Sequence, residues 1–447
     1  MSLPQQQSVQ AIRGAFLDFV GDPFYGAELE SVRYVPDGLL IVKAGTIADF
    51  GSYENLHEKY TGVAIADYSG KLIMPGLIDT HVHYPQYEMI AAYGEQLLEW
   101  LNKYTFPTEG KFKDKEYAQK IASLFLDELL KNGTTTALVF ATVHPESVDA
   151  FFEEACRRNL RMISGKVLMD RHAPDFLTDT LETAYEDSKR LIQKWHKNGR
   201  SLYAVTPRFA ATSTEEQLRL AGKLLKEFPD VYLHTHLSEN MREVEWIAEL
   251  FSDAEGYLDV YDRAGLVTDR SVFAHGIHLT DSEFGRLSAA KSAISFCPTS
   301  NLFLGSGLFK LHKAKAIDRP VKVGLGTDVG AGTSFSLLHT ASEAYKVVQL
   351  QQESLSAFKA LFLATLGGAK ALSLEDKLGN FEVGKEADFI VLNLHATPLM
   401  AVRNHSFPTD SILELADAVF GLIILGDDRA VHAVYVAGEL AHSLASV

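Results

Sequence analysis

One pattern constrains this chain more than any other. Eight short runs rich in β-branched and apolar residues alternate with amphipathic stretches of helical period. The runs are 76–83, 134–140, 162–170, 202–209, 231–238, 271–278, 293–297 and 321–327. Helix-period stretches fall at 115–130, 146–158, 181–196, 214–227, 243–251 and 282–291. Gly133 is a C-cap candidate for the first of these. Thr214, with Gln217 three residues on, predicts a capping box at the start of another. Alternating strands and helices imply a parallel sheet. Eight such units over about 300 residues predict closure into a (β/α)8 TIM barrel. An open doubly wound sheet would need a glycine-rich phosphate turn after its first strand. Here that strand ends in His81-Val82-His83.

The flanks read differently. Short strand-like pieces broken by glycines occupy residues 1–72, including 39–44 and 46–50, and return in 376–447 at 389–394 and 431–436. The two flanks are expected to pair into one small β domain around a barrel of residues 73–375. Residues 404–425 carry no clear period and read as a loop or short helix lying against the barrel.

Composition narrows the class. The formal net charge is −16, which repels phosphate backbones and anionic lipid, so nucleic acid and membrane are poor partners. Two cysteines, Cys156 and Cys297, cannot build a disulfide framework and suit a reducing compartment. No apolar run near the first 18 residues resembles a signal segment, and none approaches the roughly 18 residues of a membrane span. A cytoplasmic enzyme with a small-molecule substrate is the expectation.

The chemistry gathers at strand ends. His81 and His83 alternate along the first strand and so share a face at the barrel mouth, where two imidazoles can grip one ion. The fifth strand contributes His236 near its C-terminal end, and Glu239 follows where strand gives way to loop. His234 shares the inward parity one layer deeper and reads as a buried core histidine. The sixth strand offers His275 or His278, with His275 favoured because small neighbours leave room. The eighth ends in Asp328, which can complete a metal shell or take a proton. Active sites of this fold sit at those strand ends. A single metal site follows. Zinc suits three histidines, an aspartate and a water, and iron(II) accepts the same shell.

These motifs resemble the amidohydrolase superfamily. The resemblance rests on Leu77-Ile-Asp-Thr-His-Val-His83, His236-Leu-Ser-Glu239, Ala274-His275-Gly276, Gly326-Thr-Asp328 and the closing run Gly379-Asn-Phe-Glu-Val-Gly-Lys-Glu-Ala-Asp388. It covers nearly the whole chain. It implies a barrel with a β-sandwich-like domain from both termini, a homodimer, metal ligands His81, His83, His236 and Asp328, and His275 beside the activated water. Some members bridge two metals with a lysine on the fourth strand. That strand reads Val205-Thr-Pro-Arg208-Phe209, and Lys166 on the third is a weak substitute, so one metal is expected.

Within the superfamily, His83-Tyr-Pro-Gln86-Tyr87, Leu98-Glu-Trp-Leu-Asn-Lys-Tyr-Thr-Phe-Pro-Thr-Glu109 and Thr206-Pro-Arg208-Phe209 are similar to its guanine-acting branch. The resemblance implies Arg208 on the purine carbonyl, Gln86 on a ring nitrogen and Phe209 against the ring. His83, His236, Glu239 and Asp328 border the same substrate. Arginine is a permanent donor suited to a carbonyl and ill-matched to an amino group. Two alternatives stay open: Arg208 merely pairs with an acid such as Glu239 or Asp328, and Trp100 and Tyr104 pack rather than line a pocket. The implied reaction is hydrolysis of guanine to xanthine and ammonia. Asp328 accepts the proton of the attacking water, Glu239 protonates the ring nitrogen, and His275 steadies the oxyanion.

Three rivals remain. One is an aminohydrolase of the same superfamily acting on an adenosine derivative, a triazine or a pterin. Another, the cytidine-deaminase type of zinc site, needs Pro-Cys-x-x-Cys, and Cys297-Pro298 has the order reversed. The third is a metal-free binding or assembly relative, disfavoured because every ligand candidate is present.

Overall fold

The fold was analysed in a computed structural model that describes residues 9–93, 96–405, 407 and 411–444. Two sheets organise it. The terminal segments supply β1 (Val9–Phe19), β2 (Val32–Lys43), β3 (Thr46–Ser52) and β4 (Ile65–Pro75). The central segment supplies β5 (Leu77–His83), β6 (Thr134–Phe140), β7 (Arg161–Gly165), β8 (Val167–Leu168), β9 (Leu202–Pro207) and β10 (Tyr232–Leu237). It continues with β11 (Ser271–His275), β12 (Ala293–Phe296) and β13 (Lys322–Leu325) before β14 (Phe389–Leu392), β15 (Val431–Val436) and β16 (Glu439–Ser443) return to the first sheet.

The small sheet runs β16-β15-β14-β4-β1-β2-β3. Both termini therefore meet in it, as the glycine-broken flanks predicted. Its core packs Phe16, Phe381 and Phe389 with Ile73. The barrel sheet runs β13-β12-β11-β10-β9-β7-β6-β5, all parallel, with β8 pairing β9. Closure comes from Asp328 N–H donating to the His81 carbonyl at 2.9 Å and Thr80 Oγ1 donating to the Leu325 carbonyl at 2.9 Å. The expected TIM barrel is thus present.

The barrel is filled, not hollow. Ile78, Leu138, Ile163, Tyr232 and Val272 meet at the N-terminal end of the strands. The helix Leu366–Ala371 plugs that end through Ala369, and Tyr232 Oη donates to the Leu372 carbonyl at 2.7 Å. Each such aliphatic side chain contributes about 1.5–3 kcal/mol of burial. The opposite, C-terminal end stays open to hold polar side chains.

Three expectations need correction. The third strand is not continuous: it breaks at buried Lys166, whose ammonium bonds both Asp179 oxygens at 2.6 Å. Gly165 just before it lies so close to the neighbouring strand that a Cβ would meet the Ala204 carbonyl oxygen at 1.7 Å. Thr214 does cap its helix, accepting from Gln217 N–H at 3.2 Å, but the reciprocal half of the box is missing: the buried Gln217 amide has no hydrogen-bond partner. Finally, the segment 404–425 holds a helix of 14 residues, Ile412–Leu425, packed on the helices Leu337–Leu350 and Ala357–Leu363. Residues 406 and 408–410 of that segment lie outside the described residues, as do residues 1–8 and 445–447 of the two flanks.

Candidate active site

The site forms where strand periodicity ends. Along β10 the alternation carries Tyr232, His234 and His236 inward in successive layers. On β5 the pairing register shifts between Asp79 and Val82, and His81 and His83 both face the mouth. The next two groups are turned by the backbone instead. His275 sits at φ +73° and Asp328 at φ +51°, with Ser238 beside Glu239 at +49°. Left-handed non-glycine residues are uncommon and concentrate at functional sites. Here they swing strand-end side chains into the barrel mouth. Gly326 makes the close approach possible, since a Cβ there would meet Ser295 Oγ at 2.4 Å and His81 Cβ at 3.0 Å.

Five polar side chains converge. The ligand atoms of His81, His236, His275 and Asp328 all lie within 4.8 Å of one another. His83 joins them: its Nε2 is 3.2 Å from Asp328 Oδ1 and 3.2 Å from His81 Nε2. His81 Nε2 is 3.1 Å from the same Asp328 oxygen. Orientation comes from behind. His236 Nδ1–H donates to the Arg208 carbonyl at 2.7 Å, which leaves Nε2 a bare lone pair. His275 Nδ1 bonds Asn301 Oδ1 at 2.9 Å, and its buried Nε2 has no hydrogen-bond partner. His81 Nδ1 meets His234 Nε2 at 2.7 Å, so His234 is buried as expected but is in contact with the cluster. His278 lies elsewhere, donating Nε2–H to the Ser306 carbonyl at 2.9 Å. Phe140 of β6 packs on the rings of His81, His83, His234 and His236 with centroids 4.4–5.4 Å apart.

Electrostatics favours a cation in this cluster. Burial depresses the imidazolium form of His81, His234 and His236, and takes His83 down to about 3. Burial alone would raise Asp328, but the facing His81 and His83 overcome it and hold the carboxylate ionised. Neutral imidazoles with inward lone pairs around one carboxylate are the protonation states a divalent ion needs. The donor set fits a metal. Lys166, tied to Asp179, belongs to a different ion pair.

A narrow cavity opens onto His83, His236 and Asp328. Gln86, Trp100, Arg208, Phe209 and Glu239 line it. Trp100 faces the cavity, while Tyr104 only packs against its ring at 6.5 Å. Glu239 is pushed well above the usual carboxyl range by burial, then by the charges of Asp328 and Glu243. Its Oε2 lies 3.5 Å from His275 Nε2. Arg208 does pair with an acid, though with Glu109 rather than the Glu239 or Asp328 named as examples: both Glu109 oxygens accept from Nη1, at 3.0 and 2.8 Å. Gln86 Nε2 donates to the same Glu109 at 3.2 Å, and its Oε1 accepts from Gly330 N–H at 3.2 Å.

Sequence reasoning missed Glu109, Asn301 and Phe140. Glu109 stood inside a run singled out for its resemblance, and a lone acid after Tyr-Thr-Phe-Pro-Thr was its only signal. Nothing local marks the other two.

Comparison with known proteins agrees with this geometry. Residues 72–441 match the model of the amidohydrolase family. The guanine deaminase of Escherichia coli K12 is 54% identical over 98% of both chains. The crystal structure of guanine deaminase from Bradyrhizobium japonicum superposes with a TM-score of 0.94 at 41% identity, covering 98% of this chain and 100% of that one. Guanine deaminase from C. acetobutylicum with bound guanine gives a TM-score of 0.86 at 30% identity, over 97% and 100% of the two chains. This chain belongs to the amidohydrolase family and, within it, to the guanine deaminases.

Proposed function

We propose that the chain hydrolyses guanine, exchanging the exocyclic amino group for a water oxygen to give xanthine and ammonia. One observation carries the reading: a buried arginine and glutamine, locked on one carboxylate, share a cavity with a histidine–aspartate cluster and a protonated-range glutamate.

His81, His83, His236 and Asp328 would hold one divalent ion, with His275 alongside. Zinc suits that set best and iron(II) second. When bound, such an ion lowers the pKa of a water so that it attacks as hydroxide at neutral pH. The protein's own groups do the rest. Asp328 takes the proton released by the attacking water. Glu239, kept protonated to higher pH by burial, gives its one proton to the ring nitrogen and regains one from the added hydroxyl as the new carbonyl forms, while the proton held by Asp328 goes to the departing amine, which leaves as ammonia. His275 steadies the developing oxyanion. Arg208 offers its free guanidinium nitrogens to the purine carbonyl, Gln86 borders a ring nitrogen, and Phe209 covers the ring face.

The same reading makes the chain a cytoplasmic homodimer. Among the described residues no helix is long and apolar enough to cross a membrane. A relative acting on adenosine derivatives or amino-substituted triazines has no ring carbonyl for Arg208 to meet, whereas a pterin has one and is separated from guanine by the assay. Metal-loaded protein mixed with guanine, adenine, cytosine and a pterin, with ammonia followed, separates these readings. Release from guanine alone is expected. Silence with guanine at micromolar enzyme would overturn the substrate, and a fully active Glu239→Gln variant would overturn the proton shuttle. Full activity in protein stripped of metal would favour a different chemistry altogether.

A further inference from the structure

A second polar cavity lies at the other end of the barrel. It has a volume of about 320 Å³ and shares no lining residue with the active-site cavity. Its walls come from the N-terminal ends of the last two barrel strands, the plug helix and the loop after β1. Its charge is inverted relative to the rest of the molecule. In a chain with 42 basic and 58 acidic residues, four lysines line it, Lys291, Lys315, Lys322 and Lys370, against one carboxylate, Asp22.

Asp22 is already engaged. Its Oδ2 accepts from Lys315 Nζ at 2.8 Å, and Lys315 is only 8% exposed. Lys322 donates to Ser373 Oγ at 3.3 Å, and Lys370 Nζ stands 5.7 Å from the Phe362 ring. Among the described residues, Lys291, Lys322 and Lys370 form no ion pair. Glu375 and Asp269 act on Lys322 from outside the lining, as does the cationic Arg270. Tyr25 adds a further observation. The residue lines the same cavity, and its hydroxyl is buried without a hydrogen-bond partner. A buried orphan hydroxyl costs about 1–3 kcal/mol unless something satisfies it.

The lysines also repel one another. Lys315 is lowered first by burial and also by Lys370; Lys322 is lowered first by burial and also by Lys291. A concave, low-dielectric wall of one sign concentrates counter-ions. Lysine ammoniums bind phosphate as point charges, and phosphate oxygens accept from hydroxyls as well. The volume suits a small organic molecule, and Pro320, Val321, Val323 and Phe362 supply an apolar wall.

We propose that this cavity binds a small phosphate monoester, its phosphate group held by Lys291, Lys322 and Lys370 and by the Tyr25 hydroxyl. The site is independent of the deaminase reading.

Isothermal titration of the metal-loaded enzyme, at constant ionic strength, tests it with three probes: inorganic phosphate, adenosine 5′-monophosphate and neutral adenosine. One site per chain is expected for the monophosphate and none for adenosine. Binding of inorganic phosphate as well assigns recognition to the phosphate alone; binding of the monophosphate only assigns it to the whole ester. The double variant Lys291→Ala/Lys370→Ala should weaken binding at least tenfold while guanine turnover and melting temperature stay unchanged. Should that variant melt early, Lys291→Glu, a change at an exposed side chain, should act in the same direction. Failure of both anions to bind at 10 mM, or equal affinity in the variants, which would assign binding to the active-site cluster, overturns the proposal.

Discussion

The ion pair behind the substrate cavity lends itself to a quantitative test. Replace Glu109 with Gln, which keeps shape and removes charge. Glu109 is 0% exposed and Arg208 2% exposed, so neither has water to fall back on. Three donor approaches converge on the carboxylate, two from Arg208 Nη1 and one from Gln86 Nε2. An amide has only one oxygen to meet them. Whichever way it turns, its NH2 group faces Arg208 or Gln86 donor to donor. Removing one partner of a buried ion pair costs about 3–5 kcal/mol. The glutamine oxygen keeps one bond to a charged donor, itself worth about 1.5–3 kcal/mol, so the expected loss is about 1.5–2 kcal/mol. If that loss falls on substrate orientation, kcat/KM for guanine drops about 10- to 30-fold. Urea unfolding and steady-state kinetics would measure both.

The double-mutant cycle isolates the pair from the pocket. Arg208→Met strands the Glu109 charge, Glu109→Gln strands the Arg208 charge, and the double variant strands neither. The double variant should therefore be less damaged than the sum of the singles, with a coupling of about 2 kcal/mol or more. Additivity within about 0.5 kcal/mol would refute the idea that Glu109 acts through Arg208.

Three further outcomes follow from the site. His234→Phe removes the 2.7 Å partner of His81 Nδ1, and elemental analysis after dialysis against a chelator should show metal retained about 10- to 100-fold less tightly; unchanged retention would leave His234 as packing only. Glu239, raised by burial and then by Asp328 and Glu243, keeps its proton to higher pH than an ordinary carboxyl and loses it as pH rises, so kcat/KM should fall on the alkaline side. Glu243→Gln, by removing a like charge, should lower the Glu239 pKa and move that limb to lower pH; an unmoved or upward-moved limb contradicts the assignment. Gly326→Ala drives a methyl into Ser295 and His81, and metal content should fall along with a melting temperature lowered by several degrees.

Legibility in the sequence follows the reach of local periodicity. His81, His83 and His236 were readable because alternation along β5 and β10 fixes the face they share. The helix Ile412–Leu425 was not, because Ile-Leu-Glu-Leu-Ala-Asp-Ala-Val-Phe-Gly-Leu-Ile-Ile-Leu has hardly any polar face. Its buried residues Leu415, Ala418, Val419 and Leu422 line one face, but Leu413 and Ile424 are exposed on another, so apolar residues ring the helix and blur the stripe. Lys166 broke the third strand for a reason 13 residues away, its pairing with Asp179.

Two candidate site residues, one histidine among them, pose the deeper case. His275 and Asp328 stand at strand ends, where period two stops carrying information. What aims them is a left-handed backbone turn, and those turns are held by bonds between strands: Gly276 N–H to the Leu237 carbonyl at 2.8 Å, and Asp328 N–H to the His81 carbonyl at 2.9 Å. The second of these is also the bond that closes the barrel between its first and last strands. Closure and site assembly are therefore a single event. A residue at the mouth acquires its direction only when the first and eighth strands meet, which places Asp328 beside His81 and His83 across nearly 250 positions of sequence. Sequence can name such residues by type and place, but their aim belongs to the closed barrel.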